Sequence, residues 1–161
     1  MDPAPPPTAS PPAVDGPFPV TRWSRVVRVK EAADADLRRA ALNDAIRKVV
    51  GTAQVRQGRV KLDLPPLIEN GNSVPVTVTV ESPMTEADHV RAIHVFNEKN
   101  PQPHVLDARL GPQNGKAFLA TRIKLADAQK VVAIAEMSDG TYWRASADVI
   151  VTLAACIEDL T

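Results

Sequence analysis

The sequence predicts a mainly β chain: an immunoglobulin-like antiparallel β-sandwich, preceded by an amphipathic helix and a proline-rich tail. Three observations carry this expectation. From Gly58 onward the apolar residues recur at every second position, the period of a half-buried strand. Clusters of turn-forming residues ("ENGN", "SPMTEAD", "EKNPQP", "GPQNG", "SDG") interrupt that pattern at short intervals. Ahead of Gly51 the apolar period is instead that of a helix. About seven short strands punctuated in this way, with no internal repeat, heptad run or βαβ alternation, are what a two-sheet sandwich requires.

The elements follow in order. Met1–Pro19 holds eight of the fifteen prolines and almost no bulky apolar side chains. Proline cannot feed a helix interior or a central strand, so residues 1–30 are expected to be a disordered leader. A helical segment is expected at 31–52. Leu37, Ala41, Ala45 and Val49 form one row at four-residue spacing, and Leu42, Ile46 and Val50 form the next. Arg38, Arg39, Asn43, Asp44, Arg47 and Lys48 take the opposite side. Asp34 or Asp36 can cap the start, and Gly51 fits the stop. The helix either packs on the domain or lies against a partner.

The β-sandwich is expected at 59–153. "VKLDL" alternates Val60, Leu62 and Leu64, and "VPVTVTVES" alternates four valines with threonines opposite. "RAIHVFN" places Ile93 and Val95 on one face, His94 and Phe96 on the other. Further strands are expected at Val105–Leu110, Ala117–Ile123, Val131–Met137 and Thr141–Leu153, with Asp139–Gly140 as a tight hairpin turn. Residues 154–161 remain as a C-terminal arm. Aromatic residues make up only 4% of the chain, so the core must be built from Val, Ile, Leu and Ala.

The net charge is zero, which argues against nucleic acid or an anionic membrane as partner, because both demand a basic surface. No run approaches the roughly 18 apolar residues of a membrane-spanning helix. "MDPAPPPTAS" lacks the basic and apolar regions of a signal peptide. The Arg38–Arg39 pair is followed by charged rather than apolar sequence and reads as a solvated helix face.

His89, His94 and His104 are the only histidines. Strand spacing places His89 and His94 on opposite faces, and no second cysteine is available, so they are expected to be scattered surface residues rather than metal ligands. No phosphate-cradling glycine loop or nucleophile elbow is present. Catalytic residues, metal and cofactor are therefore all expected to be absent.

The remaining candidate is Cys156, the only cysteine. Glu158 and Asp159 follow it closely, and like charge opposes ionisation of a thiol. Three readings stay open on these residues alone. Cys156 can be a covalent carrier on an exposed arm. It can be a small apolar residue finishing the last strand of an interaction or assembly module. It can be a nucleophile beside one of the histidines, which needs hydrogen-bond geometry between them.

The stretch "VKLDLPPLIENGNSVPVTVTVESPMTEADHVRAIHVFNEKNPQP", followed by "TRIKLADAQKVVAIAEMSDGTYW" and "VIVTLAACIEDL", resembles the SoxY family over about Val60–Cys156. SoxY is the sulfur-carrier subunit of the bacterial thiosulfate-oxidising system. The resemblance implies an immunoglobulin-like sandwich, a periplasmic location, and a heterodimer with the SoxZ subunit. It implies that Cys156 is the covalent anchor for sulfur intermediates, with no catalysis by the carrier itself. The partner enzymes it implies are the haem c-containing SoxAX, which joins thiosulfate to the cysteine, the SoxB hydrolase, and in some organisms a sulfur dehydrogenase. The family's usual ending is a cysteine flanked by glycine pairs. Here Ala154 and Ala155 precede the cysteine and "IEDLT" follows it, making a stiffer, bulkier and more acidic arm.

Overall fold

The computed structural model describes Pro3 and residues 22–153. One helix, α1 (Arg22–Val50), leads into nine strands: β1 (Val55–Gln57), β2 (Val60–Asp63), β3 (Leu67–Asn70), β4 (Val74–Val80), β5 (Val90–Asn97), β6 (His104–Arg109), β7 (Ala117–Ile123), β8 (Gln129–Met137) and β9 (Tyr142–Leu153). A 3-10 turn, Pro112–Asn114, lies between β6 and β7.

Two compact units divide the chain, one ending at Leu37 and one running from Arg38. In the first, α1 begins at Arg22, earlier than the expected boundary at 31. Residues 22–33 contain neither proline nor glycine, so nothing local stops the helix before the Asp34 cap position. The expected stop holds. Gly51 adopts φ +64 and its N–H donates to the Arg47 carbonyl at 2.8 Å, a left-handed end that glycine reaches at least cost.

In the second unit, β2, β4 and β7 form a three-stranded antiparallel sheet. The larger sheet runs in the order β1-β9-β8-β5-β6, and β3 also pairs with β9. The strands expected from the period-two pattern are all present; β1 and β3 are additional. Both are short and both pair with β9 in parallel, so the sheet is mixed rather than wholly antiparallel. Neither "VRQ" nor "LIEN" alternates apolar with polar residues, which is why neither strand was expected.

Alternation explains the core. Val74, Val76, Val78 and Val80 of β4 point inward from the small sheet. Ile93 and Val95 of β5, with Val131, Ala133, Ala135 and Met137 of β8, meet them from the large sheet. The opposite face of β5 and β8 is covered too. Phe96, Val132 and Ile134 pack with Leu42 and Val50 of α1. Burial on both faces makes β8 an almost continuous apolar run. The β8–β9 hairpin turns at Asp139–Gly140 as expected, with Gly140 at φ +85 and the Met137 N–H donating to the Thr141 carbonyl.

Of the two rows expected to form the helix's apolar stripe, both are at least partly buried from Leu42 to Val50, while Leu37 and Ala41 are exposed. Leu42 is 6% exposed while Leu37 is 69% exposed. Ala45, Ile46 and Val49 are partly buried beside Leu42 and Val50.

Candidate functional site

The strand that leads toward Cys156 is built in two stretches. From Tyr142 to Val149, β9 pairs with β8. From Ile150 to Leu153 its partner is β3, through the register Leu67–Ile150, Ile68–Val151 and Asn70–Leu153. The Ile150 N–H donates to the Pro66 carbonyl at 2.9 Å, and the Thr152 hydroxyl reaches the carbonyls of Ile68 (3.4 Å) and Glu69 (3.3 Å). The last turn of ladder before the arm is therefore tied to the "PPLIEN" segment rather than to the main hairpin. Cys156, with the whole expected arm at 154–161, lies outside the described residues.

The histidines differ from the scattered surface arrangement expected of them. His94 is buried, at 8% exposure, and His104 is brought beside it. The reason is a bulge. Along β5 and β6 the register runs Ala92–Arg109, Ile93–Ala108, His94–Asp107 and Val95–Leu106, then slips so that Phe96 faces His104. Val105 is the extra residue. In a regular strand, residues three apart point to opposite faces. The bulge cancels one alternation, so His104 and Asp107 share the face that carries His94 and Phe96.

On that face His94 Nδ1 and His104 Nε2 both contact the same carboxylate oxygen, Asp107 Oδ1. Phe96 stacks on His104 at 4.7 Å between ring centroids, and the two imidazoles meet edge-on at 5.9 Å. Burial alone would raise the Asp107 carboxyl, but the hydrogen bonds from His94 and His104 outweigh it and hold the group below the usual carboxylate range. The other nitrogen of His94, Nε2, is buried without a hydrogen-bond partner; Glu136 Oε2 stands 3.6 Å away. Close by on the same face, burial and then the Glu136 charge push the Tyr142 phenol up. His89 is elsewhere, its Nδ1 3.0 Å from the Thr85 carbonyl. Asp107 is the residue that sequence reasoning missed. A His-x-x-Asp spacing in a strand reads as two faces, and only the bulge makes it one.

The chain's relationships agree with this architecture. The family model for "Sulfur oxidation protein SoxY" matches residues 46–156, which spans every strand and ends on Cys156. The chain belongs to the SoxY family. Among solved structures, the sulfur carrier protein SoxY from Chlorobium limicola f thiosulfatophilum is similar, with 27% identity and a TM-score of 0.60, covering 71% of this chain and 98% of that one. The superoxide reductase (neelaredoxin) of Ignicoccus hospitalis shares the fold at 19% identity and a TM-score of 0.52, covering 58% of this chain and 80% of that one. A superoxide reductase from Nanoarchaeum equitans does so at 12% identity and a TM-score of 0.51, covering 60% of this chain and all of that one. No curated protein sequence matches. For a SoxY-family chain the sandwich and the sulfur-carrier class are thereby established.

Proposed function

We propose that this SoxY-family chain carries sulfur intermediates of thiosulfate oxidation as covalent adducts of Cys156, and presents them to partner enzymes without catalysing their conversion. The observation that carries the reading is that the family match, residues 46–156, takes in the nine strands and ends on the chain's only cysteine.

The chemistry assigned to Cys156 balances as follows. The thiol and thiosulfate join through a new S–S bond to give Cys–S–S–SO3⁻, releasing one proton and two electrons. The electrons pass to a haem c oxidant of the SoxAX type. Water then attacks the outer sulfone group, which leaves as sulfate with two protons, and a persulfide anion remains on Cys156. A SoxB-type hydrolase performs that step, and a sulfur dehydrogenase type of partner can oxidise the persulfide. The carrier works as a heterodimer with a SoxZ-like subunit in the periplasm.

Intact-mass analysis of the full chain after exposure to thiosulfate and a SoxAX-type oxidase tests the reading. A single thiosulfonate addition mapping to Cys156, absent from Cys156→Ser, is the expected result. An unmodified thiol in the presence of an active oxidase sinks it.

A further inference from the structure

We propose that His94, His104 and Asp107 form a binding site for a divalent transition metal of the zinc class. This site goes beyond the carrier role and does not depend on it.

The donor set comes first. One ligand atom from each residue converges so that all lie within 4.8 Å of one another. Two imidazole nitrogens and one carboxylate suit zinc and its first-row neighbours, whereas magnesium and calcium favour all-oxygen shells. Three protein donors leave a coordination position for water or an exchangeable ligand. Asp107 is on the edge strand β6 and is exposed, so an ion has a way in.

The donors are also held in place before any ion arrives. The bulge at Val105 aligns His104 with Asp107, and stacking on Phe96 orients the His104 ring. His94 is itself buried, with only 8% of its surface exposed.

The third argument is the orphaned nitrogen. When the Asp107 contact uses the Nδ1–H of a neutral His94, its Nε2 is left as a buried acceptor with only a carboxylate nearby. Binding an ion at Nδ1 requires the opposite tautomer, which places the proton on Nε2. That N–H then faces Glu136 Oε2, at 3.6 Å, and a shift of a few tenths of an ångström completes a hydrogen bond. A carboxylate behind a metal-bound histidine is the usual way its tautomer and ring plane are set. Glu136 is thus a positioning residue and not a ligand.

Calorimetric titration of the chelator-stripped full chain with zinc chloride is the test. Wild type and Cys156→Ser are expected to bind one equivalent with equal affinity. Asp107→Ala and His104→Ala, both changes at partly or fully exposed residues, are expected to weaken binding by more than about 100-fold, and Glu136→Gln by about 10-fold or more. No one-site binding by wild type overturns the proposal, as does binding that survives Asp107→Ala and His104→Ala or disappears in Cys156→Ser. Should a variant fail to fold, imidazole NMR of the wild-type chain decides. Zinc should move the ring resonances of His94 and His104 and leave His89 in place; shifts at His89, or at none of the three, refute the site.

Discussion

Leu37 and Leu42 test the packing of the helix most directly. The two lie five positions apart on α1, and the apolar pattern marks both as stripe residues. The structure separates them, at 69% against 6% exposure. Replacing Leu42 with Ala removes side-chain atoms from the cluster that also holds Val50, Phe96, Val132 and Ile134. Core Leu→Ala changes cost about 2–5 kcal/mol, the spread reflecting how far each site collapses around the cavity. This satellite cluster has only five buried members and lies outside the sandwich core, so relaxation is easy and the low end applies, about 2–3 kcal/mol. Ala is slightly the better helix former, which offsets only a few tenths of a kcal/mol. Leu37→Ala, with little burial to lose, should fall within about 0.5 kcal/mol of wild type. Urea unfolding of the full chain measures both. With a slope near 1–3 kcal/mol/M, Leu42→Ala should lower the midpoint by about 0.7–3 M and leave the slope unchanged, while Leu37→Ala moves it by no more than about 0.5 M. Equal midpoints for the two variants would refute the assignment of Leu42, and not Leu37, to the buried stretch of the stripe.

Two further outcomes concern the start of β8 and the loop before it. Gln129 is buried and makes three hydrogen bonds: its Oε1 accepts from the Lys99 N–H, and its Nε2 donates to Asn100 Oδ1 and to the Asp127 carbonyl. Gln129→Ala leaves those groups to water or to nothing and should cost about 1–3 kcal/mol, read from the denaturant midpoint; a loss below about 0.5 kcal/mol contradicts the network. Asp127 gives a pH signature. Burial pulls its carboxyl up, but the Ala128 N–H and Lys99 outweigh that and hold it below the ordinary value. A depressed folded pKa contributes stability that is present above the unfolded value near 4 and is lost as pH falls through the folded value. Asp127→Asn should therefore be less stable than wild type at pH 7, by under about 1 kcal/mol because the group is well exposed, and equal to it near pH 2. A difference that persists at the lower pH would assign the effect to something other than the charge.

Much of the fold was legible because its signals are local. Val74, Val76, Val78 and Val80 alternate within one strand, so burial of their shared face needs no knowledge of what covers it. Gly51 and Gly140 mark a helix stop and a hairpin through backbone freedom that only glycine has at little cost. Less legible were the short strands Val55–Gln57 and Leu67–Asn70, which exist because β9 is long enough to pair with both along one edge. The helix start was misplaced for a related reason: Asp34 is a competent cap, but a cap residue does not end a helix that already runs through it.

By itself, then, the sequence determined the alternating strands, the turns between them and the singularity of Cys156, together with the motifs that tie the chain to the SoxY family. Periodicity and turn chemistry are properties of neighbouring residues, and they survive without a third dimension. The tertiary structure decided which stretch of the helix's apolar stripe is buried, and it brought His94, His104 and Asp107 to one point. That meeting rests on one extra residue at Val105 and on the pairing of β5 with β6. A one-residue slip reverses the face of every side chain beyond it, and no pattern within either strand alone records where the slip occurs.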